Sequence, residues 1–335
     1  MLELLLGAAL VGSLTFYLLL GGADFGAGIW SLFTFHHRGK AQRALIDQAI
    51  GPIWEANHVW LIVAVTILFT AFPEAYTVIV VGLHIPLSLM LVGIVLRGTT
   101  FALRTHDVAS RQSGSGPSEL WWYLFAGSSL LTPVLLGMSL GAIASGRLRD
   151  RTGESFYETF VAPWLSSFPF SVGLLTALLV AYLAATYLIV ESREAGLKHL
   201  FRRRAVAAWA VVGVAALVAL YLSRTGAPEI YRGLTGTGMG LATLALTATG
   251  QAVALLSLLR GRDRMARLGA AAVSVLMLWG WALSQFPFLV EPDVTIYQSA
   301  EPATLRILLV SLAAGSVLLI PLLRYLYMIF KSRVL

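Results

Sequence analysis

The sequence predicts an all-α polytopic membrane protein of about nine transmembrane helices, folded as a single integral membrane domain over residues 1–335. Three observations carry this expectation. Of the 335 residues, 58% are hydrophobic, and the mean hydropathy is +0.79. Only 12% are charged, about half the roughly 25% usual in soluble domains. The apolar residues also fall in runs long enough to cross a bilayer, which takes about 20 residues of helix.

Taken in chain order, the runs are 4–33, 50–71, 75–97, 121–145, 168–190, 205–223, 233–259, 268–287 and 304–330. The first is long because it ends in a Gly-rich stretch, Gly21 to Gly28. Its start, Met1-Leu2-Glu3, has no basic region, so it reads as a retained span and not a cleaved signal. Residues 111–118 combine Ser, Gly and Pro and read as a flexible loop. No internal repeat or low-complexity segment divides the chain.

The net charge of +7 is spread between the apolar runs and does not form one basic patch, which argues against a nucleic-acid partner. The chain has no cysteine, so disulfides, thiolate-held iron–sulfur clusters and Cys-rich zinc sites are excluded. Segments 34–49, 97–120, 191–204, 260–267 and the tail from Arg324 hold 18 of the 24 Lys and Arg residues. In the remaining loops the acids, Glu74, Asp150, Glu154, Glu158, Glu229, Glu291, Asp293 and Glu301, outnumber the bases. The positive-inside rule then places the N-terminus outside and the C-terminus in the cytoplasm. The Arg202-Arg203-Arg204 run needs no reading beyond orientation and contact with anionic lipid.

Two acids fall in apolar surroundings, Asp24 and Glu55. At 1.5 Å per residue, Asp24 lies about 9 Å from Trp30, and Glu55 about 7–8 Å from Ile50. The first two spans run in opposite directions and are expected to be neighbours, which puts the two carboxyls at similar depth near the cytoplasmic side. Holding an ionisable group there costs about 2.5–3.5 kcal/mol or more and commonly marks a proton or ion path. His58 follows Glu55 by three residues, one helical turn on nearly the same face. These residues suit proton transfer. They equally suit a satisfied polar network holding the first three spans together, with Arg97 as a member.

Other features are less specific. His84 lies in an apolar run without a ligand partner and is expected to bond neighbouring backbone. Gly22/Gly26 and Gly137/Gly141 are spaced for close helix packing. The sequence shows no P-loop, zinc-protease, nucleophile-elbow or dinucleotide motif. No catalytic residue and no metal site are expected in this chain.

Gly22-Ala23-Asp24-Phe25-Gly26-Ala27-Gly28 resembles a first-span stretch of subunit II of cytochrome bd-type quinol oxidases. Pro52-Ile53-Trp54-Glu55-Ala56-Asn57-His58-Val59-Trp60-Leu61 is similar to that family's second-span signature. Ala71-Phe72-Pro73, Arg97-Gly98 with Phe101 and Arg104, Phe125-Ala126-Gly127-Ser128, Ala185-Thr186-Tyr187-Leu188 and Phe286-Pro287-Phe288 extend the resemblance in order along the chain.

The resemblance implies two four-helix bundles plus one peripheral helix. It implies a haem-free subunit of a terminal quinol oxidase in a prokaryotic inner membrane, paired with a haem-bearing subunit I. Haems b and d, or a b-type variant, belong to that partner; a small accessory subunit, lipids and membrane quinol complete the expected partners, and a quinone or lipid is compatible with this subunit. It carries the proton-path reading onto Glu55, Asp24 and His58, with Trp54, Asn57, Trp60 and Arg97 as supporting residues. Many relatives have Asp where this chain has Glu55, and Gln or Glu where it has His58. Some have a further first-span acid at the position of Gly21. His58 is expected to compensate for that lost carboxyl. A proton-coupled transporter is the alternative, since buried carboxyls and a Gly-broken first helix suit one as well. An assembly scaffold with no part in proton movement is a third.

Overall fold

The computed structural model describes residues 1–34, 39–50, 54–109, 119–148 and 155–332. The chain is helical almost throughout. The first span joins α1 (Leu2–Phe16), a π-helical turn (Tyr17–Gly21) and α2 (Gly22–Ser31). In that turn the Gly22 N–H reaches back to the Tyr17 carbonyl, five residues earlier. A short polar helix, α3 (Gly39–Ile50), leads to α4 (Trp54–Ala71).

Here the structure departs from the run-length reading. The predicted third span, 75–97, is two elements: α5 (Pro73–Gly82) and α6 (His84–Ala109). The axis of α5 turns 117° from that of α4. Pro73 has no N–H to give to α4 and pushes Phe72 out of the helical region, to φ −131° and ψ 61°. Leu83 marks the second break, at φ −115° and ψ 19°. Hydropathy cannot register these breaks because both halves are apolar. Among the described residues, eight helices are long and apolar enough to cross a membrane, and nine spans result if the bent α4–α5 pair counts as one.

The rest follows as α7 (Glu119–Ala144), the short α8 (Phe156–Phe160), α9 (Ser167–Glu191), α10 (Ala195–Gly226), α11 (Pro228–Gly236), α12 (Gly238–Leu259), α13 (Asp263–Gln285), the hairpin strands β1 (Phe288–Val290) and β2 (Val294–Thr295), and α14 (Pro302–Ser332). Helix α9 is central and packs against α2, α7, α10 and α13. Small residues permit that closeness. A Cβ on Gly26 would strike the Val180 carbonyl of α9, and Gly137 and Gly141 of α7 lie against Gly173 and Pro169. Dense contact of this kind drives helix association where the surroundings are as apolar as the side chains. Helix α14 rests mainly on α1 and α4 and leaves Ile307, Val310, Val317 and Leu318 exposed, as a lipid-facing peripheral helix would.

Several hydroxyls within the spans are satisfied locally. Ser13, Thr15, Thr132 and Ser139 each donate to the carbonyl four residues earlier at 2.8 Å, which removes the cost of an unpaired donor in an apolar interior. At one end of the molecule Asp263 accepts from Arg202 at 2.6 Å and lies 3.1 Å from the Lys198 ammonium. The β-hairpin closes the other end.

Candidate functional site

The π-helical turn sets the site. It lies directly before Asp24 and changes which residues share the inward face of the first span. Asp24, on α2, is partly buried, and its carboxylate accepts a hydrogen bond from the Asn57 side-chain amide on α4. The same amide lies 3.4 Å from the Leu20 carbonyl. One polar side chain thus ties the second span to the first at the point where the helix changes pitch. Asn57 is 3% exposed, so this bond is shielded from competing solvent.

Arg97 comes from α6 and is 1% exposed. Its guanidinium lies over the ring of Phe25 at 4.8 Å and that of Phe125 at 5.4 Å, within cation–π range. Its charge reaches both Asp24 and Tyr17, but no direct ion pair to Asp24 forms among the described residues. Arg97 Nε and Nη2 have no hydrogen-bond partner there. Tyr17, in the π turn, is 3% exposed, and its hydroxyl is likewise without a partner.

His58 lies beside this group. Its ring centroid is 5.8 Å from that of Tyr17 and 6.0 Å from that of Phe25. Trp60 stacks on Phe16 at 4.4 Å, further along α4. The structure therefore brings together Asp24, Asn57, His58 and Arg97, while Trp60 braces α1 against α4. Trp54 and Glu55 begin α4, but their side chains lie outside the described residues. The helix does run through both Glu55 and His58, which keeps them three apart on one helix.

Sequence reasoning passed over Tyr17. The available signal was a tyrosine near the middle of the first apolar run, seven residues and two ordinary helical turns before Asp24. The π turn itself has no marker in composition. His84 behaves as expected of a lone membrane histidine, with Nδ1 2.9 Å from the Val81 carbonyl. No group of three or more His, Cys, Asp or Glu is placed to hold a metal among the described residues.

A cavity of about 490 Å³ is bounded by the first span, including Tyr17, Gly22 and Phe25, and by α7, α9, α10, α11, α12 and α13. Leucine dominates its wall, with threonine and serine hydroxyls interspersed. Tyr17, Gln251 and Trp281 are polar exceptions, and each has side-chain polar atoms without a partner among the described residues. Its volume and lining suit a long apolar molecule with a small polar head.

A second buried acid lies at the hairpin end, where sequence reasoning saw only a loop residue. Glu291 is 5% exposed, and its Oε1 has no partner among the described residues. Burial, assisted by the negative charge of Glu229, raises its pKa to about 7. Its backbone N–H reaches the Ile143 carbonyl at 3.4 Å, at the end of α7.

A sequence model of the family described as "Cytochrome bd terminal oxidase subunit II" matches residues 2–330. The chain is 31% identical over 131 residues to cytochrome bd ubiquinol oxidase subunit 2 of Bacillus subtilis, covering 39% of this chain and 36% of that protein. It is 29% identical over 236 residues to cytochrome bd-I ubiquinol oxidase subunit 2 of Escherichia coli, covering 70% and 57%. Those alignments thus span from about a third to just over half of the relatives' lengths. A chain in the structure of bd oxidase from Geobacillus thermodenitrificans superimposes with a TM-score of 0.80 at 25% identity, over 98% of each chain.

Proposed function

Because the chain belongs to the cytochrome bd terminal oxidase subunit II family, we propose that it is the haem-free second subunit of a membrane quinol oxidase that reduces O2 to water. In this reading a haem-bearing subunit I performs the redox chemistry. The present chain supports that partner and borders the route by which protons reach the oxygen site from the cytoplasm. A small accessory subunit is compatible with the assembly.

One observation supports the proton-route reading above the others. Asp24 is held by Asn57 across two helices, with His58 and the buried Arg97 beside it. A carboxyl in apolar surroundings can load and release a proton, and a fixed nearby cation limits the cost of its ionised form. Glu55, one turn before His58, is the entry carboxyl in this scheme. The cavity suits a lipid tail or the isoprenoid tail of a quinone, with Gln251, Trp281 and Tyr17 as candidate donors to a polar head. A molecule bound there would fill the space between the helices.

The test is purification of the tagged chain in mild detergent with a reduced-minus-oxidised optical spectrum of the eluate. Haem bands with a larger co-purifying membrane subunit are expected. A colourless single chain from respiring cells would overturn the assignment and favour a transporter. In the intact complex, Asp24→Asn and Glu55→Gln are each expected to slow quinol-driven O2 consumption at unchanged haem content. Full turnover in both variants would leave this subunit a scaffold.

A further inference from the structure

Arg97 and Tyr17 are almost wholly enclosed, and each presents polar atoms that no described residue satisfies. Leaving such a group unpaired in an apolar interior is unfavourable, more so when it is charged. Folded proteins meet that cost with ordered water where a site offers two to four polar partners. Here the partners come from two segments of the first span and from α6: the Tyr17 hydroxyl, the Asp24 carboxylate, and Arg97 Nε and Nη2. The charge of Arg97 reaches both of the others. The Phe25 ring is their common neighbour, with the guanidinium over it at 4.8 Å and the Tyr17 ring at 6.4 Å.

We propose that Tyr17, Arg97 and Asp24 enclose an ordered-water cluster, and that Tyr17 is a second proton-relaying group beyond Asp24. This rests on the proton-route reading above. The donor inventory fixes how the water is turned. Arginine has five N–H donors and no acceptor, so water beside Arg97 turns its oxygen to the guanidinium and its hydrogens away. Those hydrogens then point toward the Asp24 carboxylate and the Tyr17 oxygen. Arg97 cannot carry the proton; it is a positioning residue that orients the water. The tyrosine hydroxyl is both donor and acceptor. It takes on its oxygen a proton that water has received from protonated Asp24 and passes its own to the next water of the cluster, with no net change in its charge. Each O–H bond broken is replaced by one formed, and no redox partner is needed. The π-helical turn supplies the geometry, because it carries Tyr17 itself and ends just before Asp24.

The experiment uses the intact oxidase complex with Tyr17→Phe, Arg97→Lys and Asp24→Asn. Redox-induced infrared difference spectra are recorded in ordinary and 18O-labelled water, and O2 consumption is measured in H2O and D2O. The wild-type complex is expected to show a water O–H band that shifts on 18O labelling. Tyr17→Phe, which keeps the ring, is expected to lose or move that band, to slow turnover roughly fivefold or more and to change the solvent isotope effect, at unchanged haem content. Arg97→Lys keeps the charge and is expected to retain turnover better than Tyr17→Phe while shifting the water band. The absence of any 18O-sensitive band in the wild type overturns the cluster whether or not the variants assemble. Slow Asp24→Asn with wild-type Tyr17→Phe overturns only the relay through Tyr17. Wild-type turnover in both Asp24→Asn and Tyr17→Phe removes the proton-route reading itself.

Discussion

Asn57 on α4 donates its side-chain amide to the Asp24 carboxylate on α2, thirty-three residues earlier in the chain. This bond fixes the rotation of the second span against the first. It also places Asp24, the acid of the Gly-rich stretch, beside the Trp-Glu-Ala-Asn-His segment, two motifs that are separate in sequence.

Removing the donor tests that relationship. Asn57→Ala is expected to destabilise the protein by about 1–3 kcal/mol, because the buried carboxylate loses a partner. The same change in an Asp24→Asn background is expected to cost less, since a neutral amide needs the donor less. Thermal unfolding of the four proteins in detergent gives the coupling directly. Equal costs in both backgrounds would mean that the hydrogen bond contributes little.

Arg97 is expected to be the most sensitive of the site residues. Arg97→Met leaves Asp24 without its nearby cation and removes the guanidinium from the Phe25 and Phe125 rings. A loss on the order of 3 kcal/mol is expected. Adding Asp24→Asn should recover part of it, because both charges are then gone. A double variant as unstable as the sum of the two singles would show that the charges act independently.

Glycine packing gives a paired prediction. Gly26→Ala places a methyl group against the Val180 carbonyl, a backbone atom that cannot rotate away, and is expected to cost about 1–3 kcal/mol. Gly12→Ala meets nothing within 4 Å and should be neutral or slightly stabilising. Yield of assembled complex and unfolding temperature distinguish the two.

Glu291 makes stability pH-dependent. Its native pKa is about 7, above the ordinary value of 4.5, so the native state holds the proton longer than the unfolded chain does. Its contribution is fully present below pH 4.5 and diminishes as pH rises toward 7. Glu291→Gln is expected to flatten that slope and to raise the unfolding temperature at pH 8 relative to wild type. An unchanged slope from pH 5 to 7.5 would show that Glu291 is ionised in the native state throughout.

That the chain is a helical membrane protein was legible from residue order alone, because burying backbone in lipid allows only helices or closed barrels and the apolar runs have helical length. Residue order also singled out Asp24, Glu55, His58 and Arg97, since each is costly to place in apolar surroundings and their side-chain types are readable one residue at a time; Asn57 entered through the family resemblance. Tertiary structure decided the rest. That α5 leaves the line of α4 depends on the backbone at Phe72 and Leu83, which hydropathy averages away. That Tyr17 joins Asp24 and Arg97 depends on a π turn that packs against α4, α13 and α9. That Glu291 is buried depends on a hairpin folding onto the end of α7, 148 residues earlier in the chain, counted to the Ile143 carbonyl that receives its N–H. Burial and charge environment are properties of neighbours brought together in space, and residue order alone does not specify them.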